Sequence, residues 1–247
     1  MKPRGFSILT ACCLWLLAGT SCPVSAQGTK DLTIDGQVKV GVHKLKMNGN
    51  SLYQIEVKGK GFVPNVNLQG HSVPNTISFG SEQNTFRGLF FPPKSAEYTL
   101  TVWPSMFNPP EGLHDYTVTL KTMKFDGTPL VNKEDKLTAD DPRYANPQLF
   151  GKTTHFKAYP INMKAGQLYI IDMVASKVQG NKLDPYLYLE APNKNILARD
   201  DDGGGFPNAR IMFRAVVDGE HTIIASALWD LRGTGEYTLT VRVAKDD

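Results

Sequence analysis

The chain has 247 residues, 41% of them hydrophobic and 21% charged, with 27 Lys and Arg against 24 Asp and Glu. This near balance, without any dense Lys/Arg run, leaves no electrostatic footprint for nucleic acid. All three cysteines (Cys12, Cys13 and Cys22) precede Pro23, so the remainder has no disulfide, thiolate metal site or cysteine nucleophile.

The first segment reads as a secretory signal peptide spanning residues 1–26. Lys2 and Arg4 supply a basic start, Phe6 to Ala18 an apolar run, and Val24-Ser25-Ala26 a small-residue cleavage site before Gln27. The apolar run falls short of the roughly 20 residues that a spanning helix needs, so no transmembrane segment is expected after cleavage. A lipoprotein start at Cys22 is the alternative, although Gly19-Thr20-Ser21 lacks the leucine that such signals usually carry. The protein is therefore expected to be exported, to the periplasm, the cell surface or the medium. Roughly 220 residues remain, enough for one large or two ordinary domains.

From there the apolar period is two. Glu97 to Val102, His114 to Leu120 and Tyr237 to Val243 each place an apolar residue at every second position. Such alternation buries one face of a strand and wets the other. Short strands separated by Gly, Pro and Asn point to an antiparallel sandwich or barrel. The one stretch with a weak helical period is Asn132 to Ala139. One polar face per sheet also makes an open sheet face a candidate binding surface.

The pattern also repeats. Leu52-Tyr53-Gln54-Ile55-Glu56-Val57 matches Leu168-Tyr169-Ile170-Ile171-Asp172-Met173. Ala96-Glu97-Tyr98-Thr99-Leu100 matches Gly219-Glu220-His221-Thr222-Ile223. His114 to Leu120 matches Gly235 to Val241. Three matches in one order predict two tandem copies: residues 30–123, a turn-rich linker at 124–133, and residues 134–245.

The second copy resembles the bacterial pre-peptidase C-terminal domain family. The resemblance rests on Leu137-Thr138-Ala139-Asp140-Asp141-Pro142, Met163 to Met173, Leu183-Asp184-Pro185-Tyr186-Leu187-Tyr188-Leu189, the acidic turn Arg199-Asp200-Asp201-Asp202-Gly203-Gly204-Gly205, Asp218-Gly219-Glu220-His221 and Gly233 to Leu239. It implies a jelly-roll-like β-sandwich in an exported protein, one that accompanies catalysis elsewhere without being catalytic. Some members of the family bind calcium and some relatives bind matrix proteins. The first copy resembles the family weakly: Pro64-Asn65-Val66-Asn67-Leu68-Gln69-Gly70 stands where the aspartate-led strand would be, and the acidic turn is missing.

Two features could carry chemistry. Asp200, Asp201 and Asp202 precede three glycines. Consecutive carboxylates repel, and either water or a calcium ion, which takes about 6–8 oxygen ligands, would relieve them. The spacing is not that of an EF-hand, so a solvated β-turn and a structural calcium site both fit. Asp184 is the expected further ligand. The second feature is the loop from Trp103 to Leu113, with Phe107 within it and Trp229 in a comparable place of the second copy. These aromatics either present a binding tip or fold back over the end of the sandwich. The five histidines show no metal-ligand spacing, and no nucleophile elbow, zinc helix or phosphate loop occurs. The reading is an all-β protein of two tandem antiparallel, jelly-roll-like sandwiches after a signal peptide. It is exported and non-catalytic, and it engages an extracellular or envelope protein or glycan. A structural envelope protein, or a hydrolase with an unrecognised site, are the alternatives.

Overall fold

The computed structural model describes residues 23–24, 31–38, 41–49, 51–70, 77–82, 84–105, 114–145, 153–229 and 233–245. Apart from Pro23 and Val24, the expected leader lies outside the described residues, and so does Phe107. Every helix or strand among the described residues is a strand. The first half holds β1 (Pro23–Val24), β2 (Leu32–Val38), β3 (Gly41–Met47), β4 (Leu52–Gly59), β5 (Pro64–Gln69), β6 (Ile77–Glu82), β7 (Thr85–Phe90), β8 (Ala96–Pro104) and β9 (His114–Met123). The second holds β10 (Val131–Leu137), β11 (Arg143–Ala145), β12 (Thr153–Met163), β13 (Leu168–Ala175), β14 (Pro185–Glu190), β15 (Ile196–Asp200), β16 (Ala209–Arg214), β17 (Gly219–Ala227) and β18 (Gly235–Ala244). No helix among the described residues is long and apolar enough to cross a membrane.

Each half makes two sheets that share a core. In the first half the sheets run β2-β9-β4-β7-β6 and β1-β3-β8-β5, and in the second β10-β18-β13-β16 and β11-β12-β17-β14-β15. All pairings are antiparallel except that of β1 with β3. Set β11 aside as a short edge addition and count the rest of the second half from β10. The order is then 1-8-3-6 over 2-7-4-5, which is a jelly roll of two Greek keys. The first half, counted from β2, runs 1-8-3-6-5 over 2-7-4. The two halves share seven strand places and differ in where the fifth strand hangs.

The three sequence matches fall on equivalent strands: β4 on β13, β8 on β17 and β9 on β18. A local detail repeats with them. The Tyr53 hydroxyl accepts the Asn48 amide at 2.9 Å, and the Tyr169 hydroxyl accepts the Lys164 amide at 2.8 Å, each five residues upstream. In both halves this bond closes the turn that leads into the third strand.

Period two places the cores. In β18, Tyr237, Leu239, Val241 and Val243 point inward and are buried, and in β9 Tyr116, Val118 and Leu120 do the same. They join two separate clusters, one per half. At about 1.5–3 kcal/mol for each large apolar side chain removed from water, these clusters supply the main driving force where no disulfide can form. The stretch from Asn132 to Ala139 is not helical. It lies mostly in β10, whose residues from Val131 to Leu137 pair in unbroken register with β18. There Leu137 enters the core and Asp135 seals the rim, accepting hydrogen bonds from Tyr159 Oη at 2.8 Å and Lys157 Nζ at 2.7 Å.

The connection between the halves is itself paired. Phe125 bridges Ala244, and the Asp126 and Leu130 amides donate to Val243 and Val241 carbonyls, both at 2.8 Å. The outward faces of β4, β7 and β9 then meet those of β13, β16 and β18. Leu52, Leu89, Phe91 and Met123 pack with Leu168, Ile170, Met212 and Ala244. Within this seam Asp172, 4% exposed, accepts from Arg210 Nε at 2.5 Å and Arg242 Nη2 at 2.6 Å. The Arg210 guanidinium lies 3.9 Å over the Phe91 ring, and Arg242 lies 4.6 Å over Phe125. The polar outward faces expected of every sheet are therefore not all open to water, because part of two of them is spent on this seam.

Candidate functional site

The acidic turn is built by backbone demands first. β15 ends at Asp200, and the chain must reverse before β16 begins at Ala209. Gly205 adopts φ +91°, a left-handed conformation that glycine takes without steric cost. Gly204 N donates to Asn208 O at 2.8 Å and Asn208 N to Gly205 O at 2.9 Å, forming a small closed loop. Asp200 Oδ2 accepts the Gly203 amide at 2.6 Å and the Arg210 amide at 2.8 Å, fastening both ends of the turn. One of the four expected calcium ligands thus has a carboxylate oxygen committed to closing the turn.

The register brings the other acids together. Leu187 pairs with Asp200 across β14 and β15, so the residues following Asp200 run beside the start of β14. Asp184 precedes that strand, is 4% exposed, and its carbonyl accepts the Leu228 amide at 2.8 Å. Burial pushes the Asp202 carboxyl up, and the negative charges of Asp201 and Asp184 push it further. Asp202 therefore lies in the field of both Asp184 and Asp201. The three do not make a ready cage: among the described residues no three His, Cys, Asp or Glu side chains are grouped to hold a metal ion.

Trp229 joins this end of the sheet. Leu228 is tied to Asp184, so the next residue of the chain stands beside the aspartate-led strand. It is 46% exposed, a large indole left in water. Trp103 is placed differently. It is half-buried near the end of β8 in the first sandwich, opposite Asn65 of β5. The third expected aromatic, Phe107, lies outside the described residues.

One part of the site was missed by alternation. All six residues of β14 are buried. Leu187 and Leu189 face the core, whereas Tyr186 and Tyr188 face outward and pack with Ile224, Tyr144, Phe156 and Leu228. Ring centroids lie 4.7 Å apart for Tyr186–Tyr188 and 5.0 Å for Tyr144–Tyr188. Tyr144 Oη donates to Glu190 Oε1 at 2.8 Å, holding the ring across the sheet. The Tyr188 hydroxyl is buried and has no hydrogen-bond partner among the described residues. A continuous apolar run, Pro185 to Leu189, was the available signal for a strand covered on both faces. This aromatic layer leads up to the acidic turn: burial raises the Tyr186 phenol, Arg199 opposes that, and Asp201 and Asp200 reinforce it.

No family model matches the sequence. No curated protein matches it either. Among solved structures, similarity is found to the M60 catalytic domain with the CBM51-1 and CBM51-2 domains of Clostridium perfringens ZmpB. The TM-score is 0.29 at 7% identity, covering 87% of this chain and 34% of that one. Similarity is also found to tripeptidyl peptidase 2, with a TM-score of 0.30 at 11% identity, covering 90% of this chain and 24% of that one. The chain thus spans about a third and a quarter of these two structures. Likeness this distant has no bearing on activity.

Proposed function

We propose that this is an exported, non-catalytic binding module, and that its second sandwich engages an extracellular glycan or protein through the end that carries Trp229 and the acidic turn. The carrying observation is the 46% exposure of Trp229, which follows the Leu228 amide bonded to the Asp184 carbonyl at the end of the sheet where β15 also ends. An exposed aromatic anchor costs solvation in the free protein and is recovered when a partner covers it. Glycan is the favoured partner, because an indole face suits the apolar face of a sugar ring while neighbouring carboxylates accept its hydroxyls. The resemblance of residues 134–244 to the pre-peptidase C-terminal family supports the same reading, since such domains accompany catalysis without performing it. Retention on an array of immobilised glycans tests it. The full chain should bind at least one class, and Trp229→Ala should weaken that binding about tenfold or more. Equal retention of both proteins, or none on any glycan, overturns the glycan reading.

A second reading concerns calcium, and the register that runs the residues after Asp200 beside the start of β14, next to Asp184, favours it. Asp184, Asp201 and Asp202 would draw together around the ion while Asp200 keeps the turn closed. A melting temperature that rises in millimolar calcium, with the rise lost in Asp201→Asn/Asp202→Asn, supports this reading. A melting temperature indifferent to calcium and chelator overturns it.

A further inference from the structure

We infer that the first sandwich is a positioning element for the acidic turn of the second, acting through Arg210. The turn and the seam share this residue. Its backbone amide donates to Asp200 Oδ2 at 2.8 Å, one of the two bonds that close the turn. Its side chain is fixed by the other half of the molecule: Nη1 donates to the Phe91 carbonyl at 3.0 Å, and the guanidinium stacks 3.9 Å over the Phe91 ring. Arg210 Nε donates to Asp172 Oδ1, so the planar fork is held by two hydrogen bonds and one ring stack. A second contact backs the first. A Cβ placed on Gly205 would stand 2.7 Å from Pro93 Cβ, so the turn rests directly against the segment between β7 and β8. A shift of the backbone at Arg210 therefore pulls on contacts that reach into the first sandwich. The first copy, which lacks an acidic turn of its own, acts as a brace for that of the second.

This inference stands whether or not that end binds a glycan, and its test needs no ligand. Amide hydrogen exchange on the full chain is compared for wild type, Phe91→Ala and Arg210→Lys. Arg210→Lys keeps the positive charge and removes the fork, and it decides the matter if Phe91→Ala does not fold. The expected result is exchange at least tenfold faster at the Gly203 and Arg210 amides, with Leu239 and Val241 in β18 unchanged. Unchanged exchange at Gly203 and Arg210 overturns the inference. So does an equal acceleration at the turn and in β18, which would mean general loosening rather than a lost brace.

Discussion

Asp172→Asn removes a single charge from the seam and leaves its shape almost intact. In the native protein that carboxylate, 4% exposed, is the shared partner of two guanidinium groups, at 2.5 and 2.6 Å. The Arg210 and Arg242 side chains retain 10% and 24% of their exposure, so neither recovers full hydration when the counter-charge is lost. Removing one member of a buried ion pair costs about 3–5 kcal/mol, because the other charge remains buried. The quarter-exposed Arg242 regains some water, which places the expected loss near the lower end, about 3 kcal/mol. For a chain of this size each kcal/mol lowers the melting temperature by roughly 2–4 °C, so a fall of about 6–12 °C is expected. Scanning calorimetry of wild type and variant at one pH and salt concentration measures it. A fall of less than about 2 °C would refute the reasoning, because the two arginines would then not depend on Asp172 for neutralisation.

Three further outcomes follow from single residues. Burial opposes ionisation of Asp135, but hydrogen bonds from Lys157, Lys133, the Lys136 amide and Tyr159 outweigh it and hold the carboxyl well below the usual range. Its stabilisation is therefore complete above the ordinary carboxylate pKa near 4 and is lost as pH falls through the depressed folded value. In acid titrations followed by circular dichroism, Asp135→Asn should show a flatter decline than wild type, and parallel curves would contradict the assignment. Tyr188→Phe should leave the melting temperature unchanged or higher, since the hydroxyl is buried without a partner among the described residues; a loss above about 1 kcal/mol would reveal a bond to that oxygen. Gly205→Ala combines φ +91° with a 2.7 Å approach to Pro93, and in urea melts it should cost more than about 1 kcal/mol.

The sequence disclosed the fold where one face of a strand enters a core and the other carries polar side chains. Tyr237 to Val243 alternates cleanly because β18 turns its other side chains away from the core, and the same holds for β9. It was silent where a second layer covers the outward face. Asp172, Arg210 and Arg242 stand in strand places that read as solvent-facing, and they become interior only when the other half packs against them. The weak helical period of Asn132 to Ala139 misled for a related reason: β10 is an edge strand whose side chains mostly meet water, so its polar residues follow no strict alternation. At the candidate site the acidic turn was legible as a cluster of charge. That Asp200 would face inward to tie Gly203 and Arg210, or that Trp229 would stand beside Asp184, depends on strand register across β14, β15 and β17, which spacing along the chain does not encode.

The fifth strand of each half hangs on a different neighbour, β6 on β7 in the first and β15 on β14 in the second. Seven strand places are woven alike in both halves, and only this eighth moves from one layer to the other. Whatever loop follows it migrates too and acquires new surroundings. Two sandwiches of one weave can in this way present two unlike ends, with the difference confined to a rim while the weave beneath is the same.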